Sequence, residues 1–195
     1  MRFEELSLEV QELLGRLHDE TRSPEEKERF QVAMDALRFI YSTGQSYDFV
    51  DYRKSLDAQA PPLVVAIFNA REEADAWLRD SRRPPHGAYV LIAGEYHIVM
   101  YFPEIKHRHL VSHPVLEFYL RDMIEDGLPP PVATFATHEE ARAWVDSQPE
   151  PPRQVFIQIA GEYHLVAYHH RVNLRAIYPI SRAEKPSPPE GGPGA

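Results

Sequence analysis

The chain has 195 residues, of which 43% are hydrophobic and 26% are charged, enough apolar material for one domain or for two small domains sharing a core. Its 21 basic and 30 acidic side chains give a formal net charge of −9 and form no basic stripe, which argues against nucleic acid and anionic membranes as partners. The absence of cysteine excludes disulfides and thiolate chemistry, and the lack of a long apolar run or a signal-like start favours a cytoplasmic location.

Residues 1–60 are predicted to form an acidic helical region, because they hold 8 basic and 13 acidic side chains and show apolar residues at helical spacing. The first helix is expected from Phe3 to Leu17. Ser23–Glu26 combines an N-cap serine, a proline in the first turn and a glutamate three residues after the cap, which predicts a second helix ending near Gly44. A third, shorter helix is expected over 47–58.

The rest of the sequence contains an internal duplication. Residues 62–111 align without a gap on 129–178 and are identical at twenty of fifty positions, including the hexapeptide IAGEYH in both copies. The predicted regions after the first are repeat A (61–111), a linking helix (112–128), repeat B (129–182) and a disordered Pro/Gly-rich tail (183–195). We therefore predict an α+β fold, in which N-terminal helices precede two tandem βαββ(β) modules that form a pseudo-two-fold sheet body.

Each copy has the pattern strand, helix, hairpin and a final short strand. The hairpin turns are expected at Gly94-Glu95 and Gly161-Glu162, since glycine supplies the positive φ that a two-residue turn requires. The predicted strands are Val64–Phe68, Ala88–Ala93, Tyr96–Phe102 and Arg108–Val111 in repeat A, and Val132–Phe135, Val155–Ala160, Tyr163–Tyr168 and Arg175–Tyr178 in repeat B.

The helix of each copy has its own start signal. Asn69 with Glu72, and Thr137 with Glu140, have the spacing of a capping box. The apolar residues behind them fall on one side of the helix, so both tryptophans are interpreted as core residues. The predicted stripes are Ala74, Trp77 and Leu78 in repeat A, and Ala141, Trp144 and Val145 in repeat B.

Both faces of the strand Tyr96–Phe102 are apolar. One helix covers only one face of a sheet, so a second element must cover the other. Repeat B or a second chain could supply it.

The duplicated glutamate and histidine pairs, Glu95 with His97 and Glu162 with His164, are the candidate metal ligands. Residues two apart on a strand share a face, so a two-fold arrangement could bring two carboxylates and two imidazoles to one divalent ion. The alternative, which we favour, is structural: each glutamate lies in a turn and each histidine packs on its strand. In element order alone, paired modules of this kind resemble the vicinal-oxygen-chelate (glyoxalase-type) enzymes, but no ligand matches that family residue by residue.

Arg108 and Arg175 are the basic residues that the two copies share. They are expected to pair with Glu95 and Glu162 across the strands, with an acidic partner as the alternative. The sequence contains no nucleophile elbow, phosphate-binding loop or HExxH helix, so no catalytic residue and no cofactor is predicted.

Three functions remain open. The favoured one is a non-catalytic interaction or assembly protein that binds a protein partner or itself, for example as a homodimer. The alternatives are a metal-dependent enzyme of the glyoxalase-like type and a small acidic immunity or antitoxin protein. The two IAGEYH segments and the helix start RSPEEK make residues 1–182 resemble a family of small duplicated bacterial proteins labelled "head protein", which implies a structural role in a phage-like or other particle.

Overall fold

A computed structural model describes residues 3–184, and side chains are described for residues 5–183. The chain divides between Asp57 and Ala58 into two compact units, close to the predicted end of the helical region at residue 60. Within the described range, no helix is both long enough and apolar enough to span a membrane.

The first unit consists of three helices, as the sequence predicted: α1 (Phe3–Glu20), α2 (Pro24–Ser42) and α3 (Ser46–Asp57). The Ser23 hydroxyl caps α2 by accepting a hydrogen bond of 3.4 Å from the N–H of Glu26. Among residues 5–57, only Ser7 and Met34 are buried. The helices of this unit therefore leave much apolar surface exposed.

The second unit contains two four-stranded sheets of mixed α+β type, so the predicted fold class is confirmed at that level. In both sheets the four strands follow chain order; the first two are parallel and the rest antiparallel. The first sheet and its helix are β1 (Val64–Phe68), α4 (Arg71–Asp80), β2 (Tyr89–Ile92), β3 (Glu95–Phe102) and β4 (His107–Ser112). The linking helix is α5 (Val115–Glu125), and the second sheet and its helix are β5 (Thr134–Phe135), α6 (His138–Ser147), β6 (Gln154–Ile159), β7 (Glu162–His169) and β8 (Leu174–Pro179).

One face of each sheet packs on the helix that follows its first strand. Ala74 and Leu78 of α4 are buried against the first sheet, and Ala141 and Val145 of α6 against the second. In each copy the tryptophan ring packs on the phenylalanine of the first strand, with centroids 5.4 Å apart in the first and 5.6 Å in the second. The predicted helical stripes are confirmed.

The largest buried cluster joins both sheets to α5. Leu91 and Tyr96 of the first sheet contribute to it, together with Leu165 and Ala167 of the second and Leu116 of α5. These residues lie on the faces turned away from α4 and α6.

The hairpin turns lie one residue earlier than predicted. Ala93 (φ +50°) and Gly94 (φ +83°) are the central residues, and Ile92 pairs with Glu95, which is the first residue of β3. In the second copy, Ala160 and Gly161 are the central residues of the turn, also at positive φ. A type I′ turn needs positive φ at both central positions, so the glycine takes the second one and the alanine before it is forced into the left-handed region.

The predicted capping box of Asn69 and Glu72 is wrong, because α4 begins after Ala70, and its Glu73 carboxylate accepts from the N–H of Asn69 at 3.0 Å. Thr137 does cap α6, accepting from the N–H of Glu140 at 3.2 Å. The alignment explains the difference, since Ala70 stands where the second copy has Thr137.

The ends of the second copy also differ from prediction. Its first regular strand covers only Thr134–Phe135, although the N–H of Val132 before it still donates to the carbonyl oxygen of Phe156 at 2.8 Å. At the other end, residues 183 and 184 belong to a 3-10 turn, Ile180–Glu184, in which Ala183 is buried. The rest of the predicted disordered tail lies outside the described residues.

Candidate functional site

The histidines of the predicted metal set are buried on their strands. His97 and His164 are 8% and 4% exposed. The Nδ1 atom of His97 lies 3.1 Å from the carbonyl oxygen of Glu95, and that of His164 lies 3.0 Å from the carbonyl oxygen of Glu162. Since a carbonyl only accepts, each ring donates from Nδ1, which fixes the same tautomer in both copies.

These four side chains do not form a shared ligand cluster. No group of three or more histidine, aspartate or glutamate side chains in the described range is placed to hold a metal ion. Glu95 lines a groove between the two sheets that the other three do not line, and the ring next to His164 is that of His138, 5.2 Å away and edge-on. The metal interpretation stays a prediction.

The two shared arginines cap helices. Arg108 donates to the carbonyl oxygens of Leu78, Arg79 and Ser81 at 2.9–3.1 Å. Arg175 does the same at the end of α6, with distances of 2.7–2.8 Å to the carbonyl oxygens of Val145, Asp146 and Gln148. The predicted pairing of Arg108 with Glu95 and of Arg175 with Glu162 is therefore wrong. The last carbonyls of a helix have no partner within it, and a guanidinium can satisfy several at once.

A buried ion pair stands at one end of the groove. Glu117 of α5 has a side chain that is 4% exposed, and its Oε1 accepts from Nε of Arg182 at 2.9 Å. The same guanidinium contacts the carboxylate of Glu95 and lies over the ring of Tyr178, 5.9 Å from its centroid. Burial lowers the pKa of Arg182, but its hydrogen bond to Glu117 and its attraction to both carboxylates outweigh burial and raise that pKa.

Beside the ion pair, a group of buried rings is satisfied internally. Nε2 of His169 lies 3.1 Å from the hydroxyl of Tyr178, and the hydroxyl of Tyr96 donates to the carbonyl oxygen of Pro62 at 3.2 Å. Burial lowers the pKa of His169 to about 4 and raises the pKa of Tyr96. A histidine that stays neutral near pH 7 and hydrogen-bonds a tyrosine inside the core fits a structural role.

The groove itself has a volume of about 370 Å³. The carboxylate of Glu95 and the guanidinium of Arg182 that line it bind each other, and Arg142 donates to the carbonyl oxygen of Arg175 at 2.8 Å. Its described lining residues include no serine or threonine, and the tyrosine among them, Tyr178, has its hydroxyl 3.1 Å from Nε2 of the buried His169.

The face of the first sheet that is turned away from α4 is less buried than the other sheet faces of this unit. We call it the first-sheet outer face: the surface turned away from α4 and formed by Ile98, Met100, Phe102, His107, His109 and Val111. In register, Ile98 pairs with Val111, Met100 with His109 and Phe102 with His107. His107 and Val111 are exposed, and the other four residues are half-buried.

Imidazole rings surround the aromatic end of this face. His86 meets Phe102 edge-on at 5.3 Å between centroids, His107 stacks on the same ring at 6.4 Å, and His107 and His109 lie 4.6 Å apart. Burial lowers the pKa of His109, and the electrostatic effect of the neighbouring His107 and Arg71 side chains lowers it further. The sequence signal for this face was the strand that is apolar on both sides. The buried cluster of α5 and the second sheet covers this face at Leu91 and Tyr96, and Tyr89 packs against that cluster.

No model of a protein family, no curated protein and no solved structure matches this chain. Its function is therefore inferred from its own residues: the arginine caps and the ion pair of the interior, and one sheet face that is apolar, rimmed by imidazoles and only half-buried.

Proposed function

We propose that this is a non-catalytic interaction or assembly protein, whose two tandem βαββ(β) modules form a pseudo-two-fold body that binds a partner through the first-sheet outer face. The observation that carries the proposal is the apolar strip of Ile98, Met100 and Phe102, which the chain leaves half-buried beside the exposed Val111, a surface of the kind that marks binding sites.

The duplication supports the two-module part of the proposal. The two sheets have the same strand order, the same turn of alanine and glycine, and the same arginine cap on the helix. Shared residues such as Arg108 and Arg175 form packing and capping contacts, which is what a duplicated scaffold requires.

The occupant that fits the face is an acidic amphipathic helix of another protein. Inside this chain, the corresponding face of the second sheet packs with α5, which carries three carboxylates and one arginine. The first-sheet outer face has the Lys106 ammonium at its rim beside the polar rings of His107 and His109, so a helix with apolar residues toward Met100 and a carboxylate near Lys106 would match it in both hydrophobicity and charge.

Site-specific photo-crosslinking tests this proposal. A photoreactive amino acid at position 100 should crosslink to a discrete protein in the producing cells, while the same group at the exposed Glu139 of α6 should not. The identified protein, once purified, should bind with a Kd that Met100→Asp raises at least about tenfold, because a charge is then buried at the contact.

A matched control is Glu139→Lys, which should leave that Kd within about twofold. Saturable binding that ignores Met100→Asp, or no binding by any crosslinked protein after purification, would overturn the proposal.

A further inference from the structure

Helix α1 has an apolar stripe that is not the side it buries. Leu6, Val10, Leu13 and Leu17 recur at alternating spacings of four and three residues, which is the seam of a coiled coil. In the structure Leu13 and Leu17 are 47% and 37% exposed, and Leu6 and Val10 are half-buried.

The buried side of α1 is polar by comparison. Ser7 is its buried residue, and the Ser7 hydroxyl accepts a hydrogen bond of 3.3 Å from the side chain of Gln11. Both residues line a groove between α1 and α2 that also includes Arg38 and Tyr41. Leu13 and Leu17 of the seam are therefore exposed to another helix, and Leu6 and Val10 are partly exposed.

We infer that α1 pairs with α1 of a second copy as an antiparallel, two-fold symmetric coiled coil. This inference deepens the proposed function by naming a second copy of the chain as one partner. It rests on the proposed function only in that both treat the chain as an interaction protein.

The charges beside the seam select the second copy and its direction. Glu9 and Arg16 hold equivalent positions one heptad apart on the same flank, and both are exposed. In an antiparallel pair, Leu6 packs opposite Leu17 of the partner copy and Val10 opposite Leu13, which places Glu9 opposite Arg16 on both sides of the symmetry axis. No ion pair within the described residues engages Glu9 or Arg16.

A parallel pair lacks this complementarity. There Glu9 would face Leu14 and Arg16 would face Thr21, so neither charge would meet an opposite one. A seam of two heptads is small among specific interfaces, so we expect a reversible dimer with a Kd on the order of 10 µM.

Charge reversal and mixing give the decisive experiment, on the full chain by sedimentation velocity at protein concentrations from about 1 to about 200 µM. Glu9→Arg places like charges together at both flanks, and so does Arg16→Glu. Each is expected to raise the dimer Kd about tenfold or more. The two single variants mixed in equal amounts should form a heterodimer, and the double variant E9R/R16E should return to within about twofold of the unaltered chain.

Glu12→Arg is the control, since it changes the charge by the same amount at an exposed position of α1 away from the seam, and it should leave the Kd within about twofold. Unchanged far-UV circular dichroism in every variant verifies the fold. A chain that stays monomeric over the whole range, or a dimer that ignores both reversals, overturns the inference. Because Met100 is untouched, partner binding at the first-sheet outer face reports separately on the proposed function.

Discussion

The two sheets of the second unit have the same strand order, yet they differ in what lies on the face away from their helix. In the second sheet, Leu165 and Ala167 are fully buried beside α5, and His169 is 4% exposed. The corresponding residues of the first sheet, Ile98, Met100 and Phe102, are half-buried. Two sheets of the same strand order thus differ on one face, which is buried within the chain in the second sheet and only half-buried in the first.

The difference follows from what comes after each final strand. After β4 the chain forms α5, which joins the buried cluster of the second sheet. After β8 the described chain forms only the 3-10 turn Ile180–Glu184.

The largest effect is expected from the ion pair that ties α5 to the second sheet. Arg182→Met leaves the carboxylate of Glu117 buried without a partner, so we expect a loss of about 3–5 kcal/mol in the free energy of unfolding by urea denaturation. Arg121→Met, at an exposed position of α5, is the matched control and should change that value by less than about 0.5 kcal/mol. A cost below about 1 kcal/mol at Arg182 would contradict this role.

The second effect concerns pH and distinguishes His169 from Phe102, its counterpart in the first sheet. Above pH 6.5 the imidazole of His169 is mostly neutral in both the folded and the unfolded chain. Between pH 6.5 and about 4, only the unfolded chain takes up a proton, so stability falls as the pH falls, by about 3 kcal/mol in total.

Urea unfolding at pH 7 and pH 4.5 measures this loss. His169→Gln should reduce the difference between the two pH values by about 2 kcal/mol or more, whatever its effect at pH 7. An unchanged difference would mean that His169 does not couple folding to protonation.

A third test asks whether the shared arginines contribute equally. Arg108→Ala and Arg175→Ala should each cost about 1–3 kcal/mol in thermal or urea unfolding, because each leaves three helix-end carbonyls without their donor. Arg79→Ala, exposed on α4, serves as the control with an effect below about 0.5 kcal/mol. Costs that differ between the copies by more than about 2 kcal/mol would show that the capping is not equivalent.

The smallest effect is a gain. Ala93 and Ala160 hold left-handed conformations at φ +50° and +51° in the two hairpin turns. Asparagine tolerates that region better than alanine, so Ala93→Asn and Ala160→Asn should each stabilise the fold by about 0.5–1 kcal/mol. Destabilisation by either change, measured by urea unfolding, would contradict the turn geometry.

The sequence predicted the repeating parts of this molecule well because period and duplication are local signals. It identified the helices of the first unit, the order of strands and helix in each copy, and the buried stripes such as Ala74 and Leu78. It failed where the outcome depends on distant groups. Arg108 faces the end of α4 across the sheet, and sequence spacing does not reveal those carbonyls.

The turn and the uncovered face show the same limit. A one-residue shift of the hairpin moved Glu95 from the turn into β3, because two positions, and not one, need positive φ. The apolar character of both sides of β3 was visible in the sequence. Which side α5 would leave open depends on the packing of three elements, which no local pattern encodes.

Thiol labelling tests the contrast between the two faces most directly, because the chain has no cysteine and each variant then carries a single thiol. Met100→Cys and Ala167→Cys place that thiol at matched positions of the two sheets. We expect a maleimide to modify the purified protein at position 100 at least about 100-fold faster than at position 167, where reaction must wait for local opening. Equal rates would contradict the account, since they would mean that the two faces are covered alike.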